Sequence, residues 1–313
     1  MTAALVAMSH SPLIGKNDPN PAALHRIYGA LGQARDFVAD FAPDLVVLYA
    51  PDHYNGFFYK TMPQFCLGVD AYSVGDFGSR PGPLLVDTLA AELLAQCVLD
   101  RGIDLAISAR MPVDHGFIQP LEILFGGIDR MPVVPVFVNG VAAPFGPPHR
   151  IRALGQALGE AALELDKRVL FVGSGGLSND PPVPTVTSAT QRVAEALIEG
   201  HPTPEQRARL EHRVLVAAVN YGAGLPTTIP INPRWDNHVL DTFEQGALGD
   251  IDRWTTTWMG KEGGGSAHEV RTWIAAYASL AATGSYRMTT RFYEPVPEWI
   301  VGFSVTTALS SEY

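Results

Sequence analysis

The chain has 313 residues, 47% of them hydrophobic and 17% charged, with a formal net charge of -10. That acidity argues against nucleic acid or an anionic membrane surface as partner. Two cysteines in apolar stretches, Cys66 and Cys97, exclude a disulfide framework. With no apolar run of about 18 residues and no signal-like N-terminus, a soluble cytoplasmic protein is expected.

Apolar runs suited to buried strands alternate with amphipathic stretches. Residues 3–8 form the first predicted strand and run into Ser9-His10-Ser11-Pro12. Residues 21–39 predict a helix, with Asn20 as N-cap and Pro21 at the first helical position. The run 45–49 predicts the second strand and leads into Ala50-Pro51-Asp52-His53-Tyr54-Asn55-Gly56. A helix over 84–100 stops at Gly102, and strands follow over 103–109 and 133–138. Residues 149–165 predict a helix and 168–172 a strand, which opens into Gly173-Ser174-Gly175-Gly176-Leu177-Ser178-Asn179. The segment Asp180-Pro181-Pro182-Val183-Pro184 predicts a rigid loop, because consecutive prolines cannot continue a helix or a central strand. Residues 185–224 have a helical pattern, and 225–265 are expected to be irregular. A helix over 269–281 buries Val270, Trp273, Ile274 and Tyr277 on one stripe. Residues 287–293 suggest an edge strand. The pattern predicts one α/β domain over 1–313, with a mainly parallel or mixed sheet flanked by helices.

In such sheets ligands bind outside the carboxyl ends of the strands. His10 and His53 both end apolar strands, so both reach one rim, where they could share a metal ion. His115, in Asp114-His115-Gly116, follows another apolar run toward the same rim. The other histidines read as ordinary: His25, His149, His201 and His212 fall on predicted helices or polar loops. His268-Glu269 does not begin a zinc-protease motif, because Thr272 stands where the second histidine is required. Glu269 stays open between a metal ligand and a charge suited to the start of a helix. The glycine-rich turn at 173–176 lacks the Lys-Ser/Thr of a phosphate loop and the spacing of a nucleophile elbow. It reads as a tight turn that brings backbone close to a buried site.

Five segments in this order resemble the class III (LigB-type) extradiol ring-cleavage dioxygenases. They are Ser9–Pro12, Ala50–Phe58, Val113–Phe117, Gly173–Ser178 and His268–Trp273, and the likeness runs over essentially the whole chain. The resemblance implies Fe(II) held by His10, His53 and Glu269, a ligand set that leaves open positions on a non-haem iron. It implies meta cleavage, with O2, of a 3-substituted catechol bearing a propionate or cinnamate chain, in aromatic catabolism. It also implies a homo-oligomer, with His115 as proton donor. The family's proton acceptor is a second histidine directly after Gly-Gly-Leu-Ser, and here that position is Asn179.

An amide can hydrogen-bond a catechol oxygen but cannot act as a base at neutral pH. Three readings of Asn179 stay open. It is an engineered substitution that traps a complex; or it belongs to a natural homologue in which iron acidity, His115 or water replaces the base; or the chain has drifted to another role. The corresponding functional alternative is a protein that binds iron and catechol with reduced turnover. A zinc-dependent hydrolase using the same three ligands is a third possibility. The substrate carboxylate has Arg110, Arg152, Arg234 and His238 as candidate partners.

Overall fold

In the computed structural model, which describes residues 3–187, 189–200, 202–225 and 229–310, the predicted alternation of strands and helices forms an α/β fold. Strand β1 (Ala4–Met8) leads through helix α1 (Pro21–Phe41) to β2 (Leu45–Ala50). The Asn20 side chain caps α1 by accepting from the Ala23 N–H, and Pro21 opens the helix. Three short strands follow: β3 (Phe65–Gly68), β4 (Ala71–Ser73) and β5 (Gly82–Pro83). Helix α2 (Thr88–Asp100) begins later than the predicted Leu84, because Asp87 caps it and Val86 is held in a parallel bridge to Val133. The strand expected over 103–109 shortens to β6 (Ala106–Ser108), and β7 (Met111–Val113) runs into α3 (His115–Phe125). Then come β8 (Val133–Val138), α4 (Pro148–Ala162) and β9 (Val169–Ser174).

The helical stretch after the proline loop divides into α5 (Gln191–Glu199) and α6 (Pro204–Gly222). Residues 225–265 depart from expectation, since most are helical: α7 (Pro233–Glu244), a 3-10 segment (Leu248–Arg253) and α8 (Thr256–Gly263). The chain continues through α9 (Val270–Ala282) and β10 (Tyr286–Val296) to β11 (Val301–Ser310).

Eight strands form one mixed sheet in the order β10-β11-β1-β9-β2-β8-β3-β6. The four central strands are parallel; β11 and β3 join them antiparallel, and β10 is the edge strand expected near the C-terminus. A small sheet, β5-β4-β7, lies beside it. Successive residues of a strand point to opposite faces. Accordingly Leu5, Val47 and Tyr49 pack with α4 and α9, while Val6, Met8, Val46 and Leu48 pack with α1 and α3. Burial on both faces is why the central strands are continuous apolar runs.

Helices α4 and α9 approach closely. A Cβ on Gly155 or Gly159 would lie 2.2 Å from the carbonyl of Ala275 or Ser279, so only glycine fits. The contact locks α9, and with it the Glu269 end, against the sheet. Among the described residues, no helix is long and apolar enough to cross a membrane.

Candidate active site

His10 lies two residues past the end of β1, His53 follows β2, and His115 opens α3. Their ring nitrogens come within 4.8 Å of one another, with ring centroids 4.5 to 5.4 Å apart. Glu269, 1% exposed, comes from the 3-10 turn Ala267–Glu269 that leads into α9. Its carboxylate lies 3.3 Å from His10 Nε2 and 3.6 Å from His53 Nε2. The structure brings these four side chains together.

Hydrogen bonds fix each tautomer. The Ser174 hydroxyl donates to the Gly116 carbonyl at 2.6 Å. Its single proton is thus committed, and at 3.0 Å it accepts from His10 Nδ1–H. His53 Nδ1 meets the Asp114 carboxylate at 3.0 Å and His115 Nδ1 meets Asp76 at 2.5 Å. A carboxylate only accepts, so both Nδ1 atoms carry protons and all three Nε2 atoms remain for other work.

The loop carrying His53 is held by Asp52, which accepts from the backbone N–H groups of Asn55, Gly56 and Phe57. Tyr54 takes a left-handed φ of 59°, a conformation that costs free energy and persists only where its surroundings hold it. Asp114 caps α3 through Gly116 N–H and also accepts from the backbone and ring N–H of His53. One side chain therefore sets both the helix start and the imidazole beside it.

The electrostatics favour a cation. Burial pushes His10 down to about 3, outweighing the attraction of Glu269, so the ring is neutral and its Nε2 lone pair is available. Burial opposes the charged form of His53, yet the Asp114 and Glu269 carboxylates raise it well above the usual histidine range. Glu269 is lowered despite its burial by His53, His10 and His115, and Asp114 is lowered despite its burial by His53 and His115. A site that draws a proton onto His53 between two carboxylates will accept a metal ion in its place. Ligand atoms about 2.1 Å from one ion at right angles lie about 3 Å apart. The two Nε2–carboxylate separations are slightly longer than that, so the donor set fits a metal after small adjustments. Asp76, Asp114 and His115 form a second cluster of possible ligands. Its carboxylates are already occupied by imidazole and backbone N–H groups, so it orients the first.

Above the cluster lies a cavity of about 70 Å³, walled by Leu13, Phe77, Val183, Trp299 and Val301, with His115 and Asn179 on it. The rigid proline loop forms part of this wall through Pro181 and Val183. Asn179 is held by its backbone, donating to Gly263 O at 2.7 Å and accepting from Ser266 N–H at 3.0 Å. Asp236 on α7 anchors the preceding residue, accepting from both Ser178 N–H and Ser178 Oγ.

Sequence reading missed Asp76 and Asp236, because each acts from a distant element on a residue it does not neighbour in the chain. The Asp114 side chain carried a signal in its place beside His115. The four candidate carboxylate partners are not part of the cavity lining. Arg110 and Arg234 are exposed, Arg152 pairs with Asp252, and His238 packs on Trp254 and Trp258. Arg207, on α6, lines the cavity instead. His25, His149 and His212 are exposed as expected, and His201 lies outside the described residues.

Residues 4–304 match the family described as the catalytic LigB subunit of aromatic ring-opening dioxygenase. A Rhodococcus protein named 2,3-dihydroxyphenylpropionate/2,3-dihydroxicinnamic acid 1,2-dioxygenase is 54% identical over 99% of both chains. A protein of that name from Mycolicibacterium smegmatis is 49% identical over 99% of this chain and 100% of its own. An uncharacterized protein from Escherichia coli K12 shares the fold, with a TM-score of 0.52 at 12% identity over 98% of this chain and 99% of the other.

Proposed function

Since the chain belongs to the LigB family of aromatic ring-opening dioxygenases, we propose that His10, His53 and Glu269 hold Fe(II) in a single catalytic domain. The reaction is meta cleavage by O2 of a 3-substituted catechol such as 2,3-dihydroxyphenylpropionate or 2,3-dihydroxycinnamate. The observation that carries this reading is the meeting of two Nε2 atoms, tautomers set, on one buried carboxylate in a chain so similar to relatives of that name. The family leaves the zinc-hydrolase alternative without a motive.

Fe(II) held by His10, His53 and Glu269 would supply open coordination positions and the redox chemistry that ring cleavage by O2 needs. The chain's own residues do the rest. The apolar wall excludes water and holds the ring in one plane. His115 keeps its Nδ1 proton on Asp76, so its Nε2 is the atom that exchanges protons with the cavity. Asn179 can donate its amide N–H to a catechol oxygen but cannot take a proton from it. Both proton movements therefore fall to His115 Nε2, which receives one as catechol binds and returns it as the ring opens. One group serving twice makes turnover slower than with two histidines.

Anaerobic loading with Fe(II), followed by 2,3-dihydroxyphenylpropionate and air, should give the yellow ring-opened product with matching O2 uptake. No product from either this chain or its Asn179→His variant would overturn the assignment. The protein also works as a homo-oligomer on this reading. Support comes from Leu85 just before α2, Leu89 and Leu93 on α2, and Ile107 on the edge strand β6, all exposed, and sedimentation of a monomer would refute it.

A further inference from the structure

We infer that Arg207 recognises the side-chain carboxylate of the catechol, and so determines which catechols the protein prefers. The inference rests on the catechol reading above and adds the residue that reads the substituent. Beside the metal-site cavity lies a second cavity of about 340 Å³, and His53, Tyr54, Asn55, Arg207 and Leu210 line both. The outer cavity also carries Arg192, Arg209 and Arg213. These three are exposed, and Arg213 donates to the Pro182 carbonyl. Arg207 alone of the four borders the inner cavity, and it is half-buried.

The Arg207 side chain is in want of an anion. Its Nε is shielded from solvent and has no hydrogen-bond partner among the described residues. The carboxylates nearest at hand are engaged elsewhere. Glu211, one turn further along α6 and also on the inner cavity, accepts from Phe77 N–H at 2.8 Å, and Asp76 is held by His115. A buried guanidinium N–H without an acceptor is unfavourable until a ligand supplies one. Guanidinium offers a planar fork that matches a carboxylate at two points, which an ammonium cannot do.

A catechol held with its two oxygens toward His10, His53 and Glu269 would carry its 3-substituent on the ring carbon next to one of those oxygens. The outer cavity, which shares part of its lining with the inner one, gives that substituent room, and Arg207 lines both. Val183 and Leu210 offer apolar contact to the intervening carbons. On a chain of net charge -10, four arginines at this mouth form a local positive field. Such a field draws anions in and weakens with salt.

The test compares 2,3-dihydroxyphenylpropionate with 3-propylcatechol, which lacks the carboxylate, on Fe(II)-loaded protein and on Arg207→Gln and Arg207→Lys. Arg207→Gln should raise KM for the acid about 10- to 100-fold, the range of a charge-assisted hydrogen-bonded pair. It should change KM for 3-propylcatechol far less, and Arg207→Lys should recover part of the loss for the acid. Calorimetry of 3-phenylpropionate binding to the metal-free protein should show the same loss in Arg207→Gln. Equal effects on both catechols, no effect on the acid, or the loss following Arg192, Arg209 or Arg213 instead would overturn the inference. If neither the unaltered protein nor its Asn179→His variant opens either catechol, the dioxygenase reading fails. The calorimetric comparison still decides whether Arg207 binds the carboxylate.

Discussion

At the site, every imidazole nitrogen facing away from the cavity has a named partner, and the partners carry testable weight. Asp114 holds His53 through both its backbone and ring N–H while capping α3. Asparagine is as good an N-cap as aspartate. Asp114→Asn should therefore keep the helix and lose the charged grip on His53. Groups that orient a metal's histidine typically contribute about 10- to 100-fold in affinity. We expect a fall of that size in Fe(II) affinity by anaerobic titration, with an unchanged far-ultraviolet dichroism spectrum. Asn179 is the complementary case, since it sits on the cavity with its backbone fixed at both ends and its side chain unable to accept a proton. A general base typically contributes about 10²–10⁴-fold. Asn179→His should raise kcat by at least the lower figure with KM for the catechol little changed, measured by O2 uptake. An equal rate in the two forms would show that His115 already supplies all the proton transfer the reaction uses.

At the scale of elements, the turn after β9 and the start of α9 are built against each other. A Cβ on Gly175 would lie 2.5 Å from the Glu269 carbonyl and 3.0 Å from Thr272 Oγ1, and neither neighbour is the free end of a flexible chain. Gly175→Ala should push Glu269 away from His10 and His53. Overpacking of this kind costs about 1–3 kcal/mol, so we expect a lower Tm together with weakened metal binding, each read separately. The two outer histidines of this arrangement were legible because strands buried on both faces give unmistakable apolar runs, and their ends mark the rim. Glu269 needed the family pattern, since a carboxylate opening a helix has an ordinary electrostatic reason to be there. Helix α7 was legible but passed over: Asn232 caps it and Pro233 opens it, and Trp235, Val239, Leu240 and Phe243 follow a helical stripe. Strand β11 hides its burial behind hydroxyls. Ser304, Thr306 and Thr307 sit fully buried with partners on β10, α9 and their own strand neighbours, which no local pattern reveals.

Across the whole molecule, Asp236 joins three distant parts of the chain. From α7 it accepts from Ser178 in the site turn and from the Tyr293 hydroxyl on β10. Burial pushes it up to about 6, against the pull of those same hydrogen bonds, from an ordinary value near 4. Between about pH 4 and pH 6 the folded chain thus keeps a proton on Asp236 that the unfolded chain has released. Unfolding then sheds a proton, so this group's contribution to stability falls as pH rises through that window and is level above it. At about 1.4 kcal/mol for each pH unit of that window, the whole effect is about 3 kcal/mol. Asp236→Asn removes the titration, whatever it costs in hydrogen bonding at every pH. In urea unfolding of the metal-free protein, the stability lead of the unaltered chain over Asp236→Asn should therefore shrink by about that amount between pH 4 and pH 7. A lead that stays constant would mean that Asp236 is ionised throughout, with its three donors outweighing its burial.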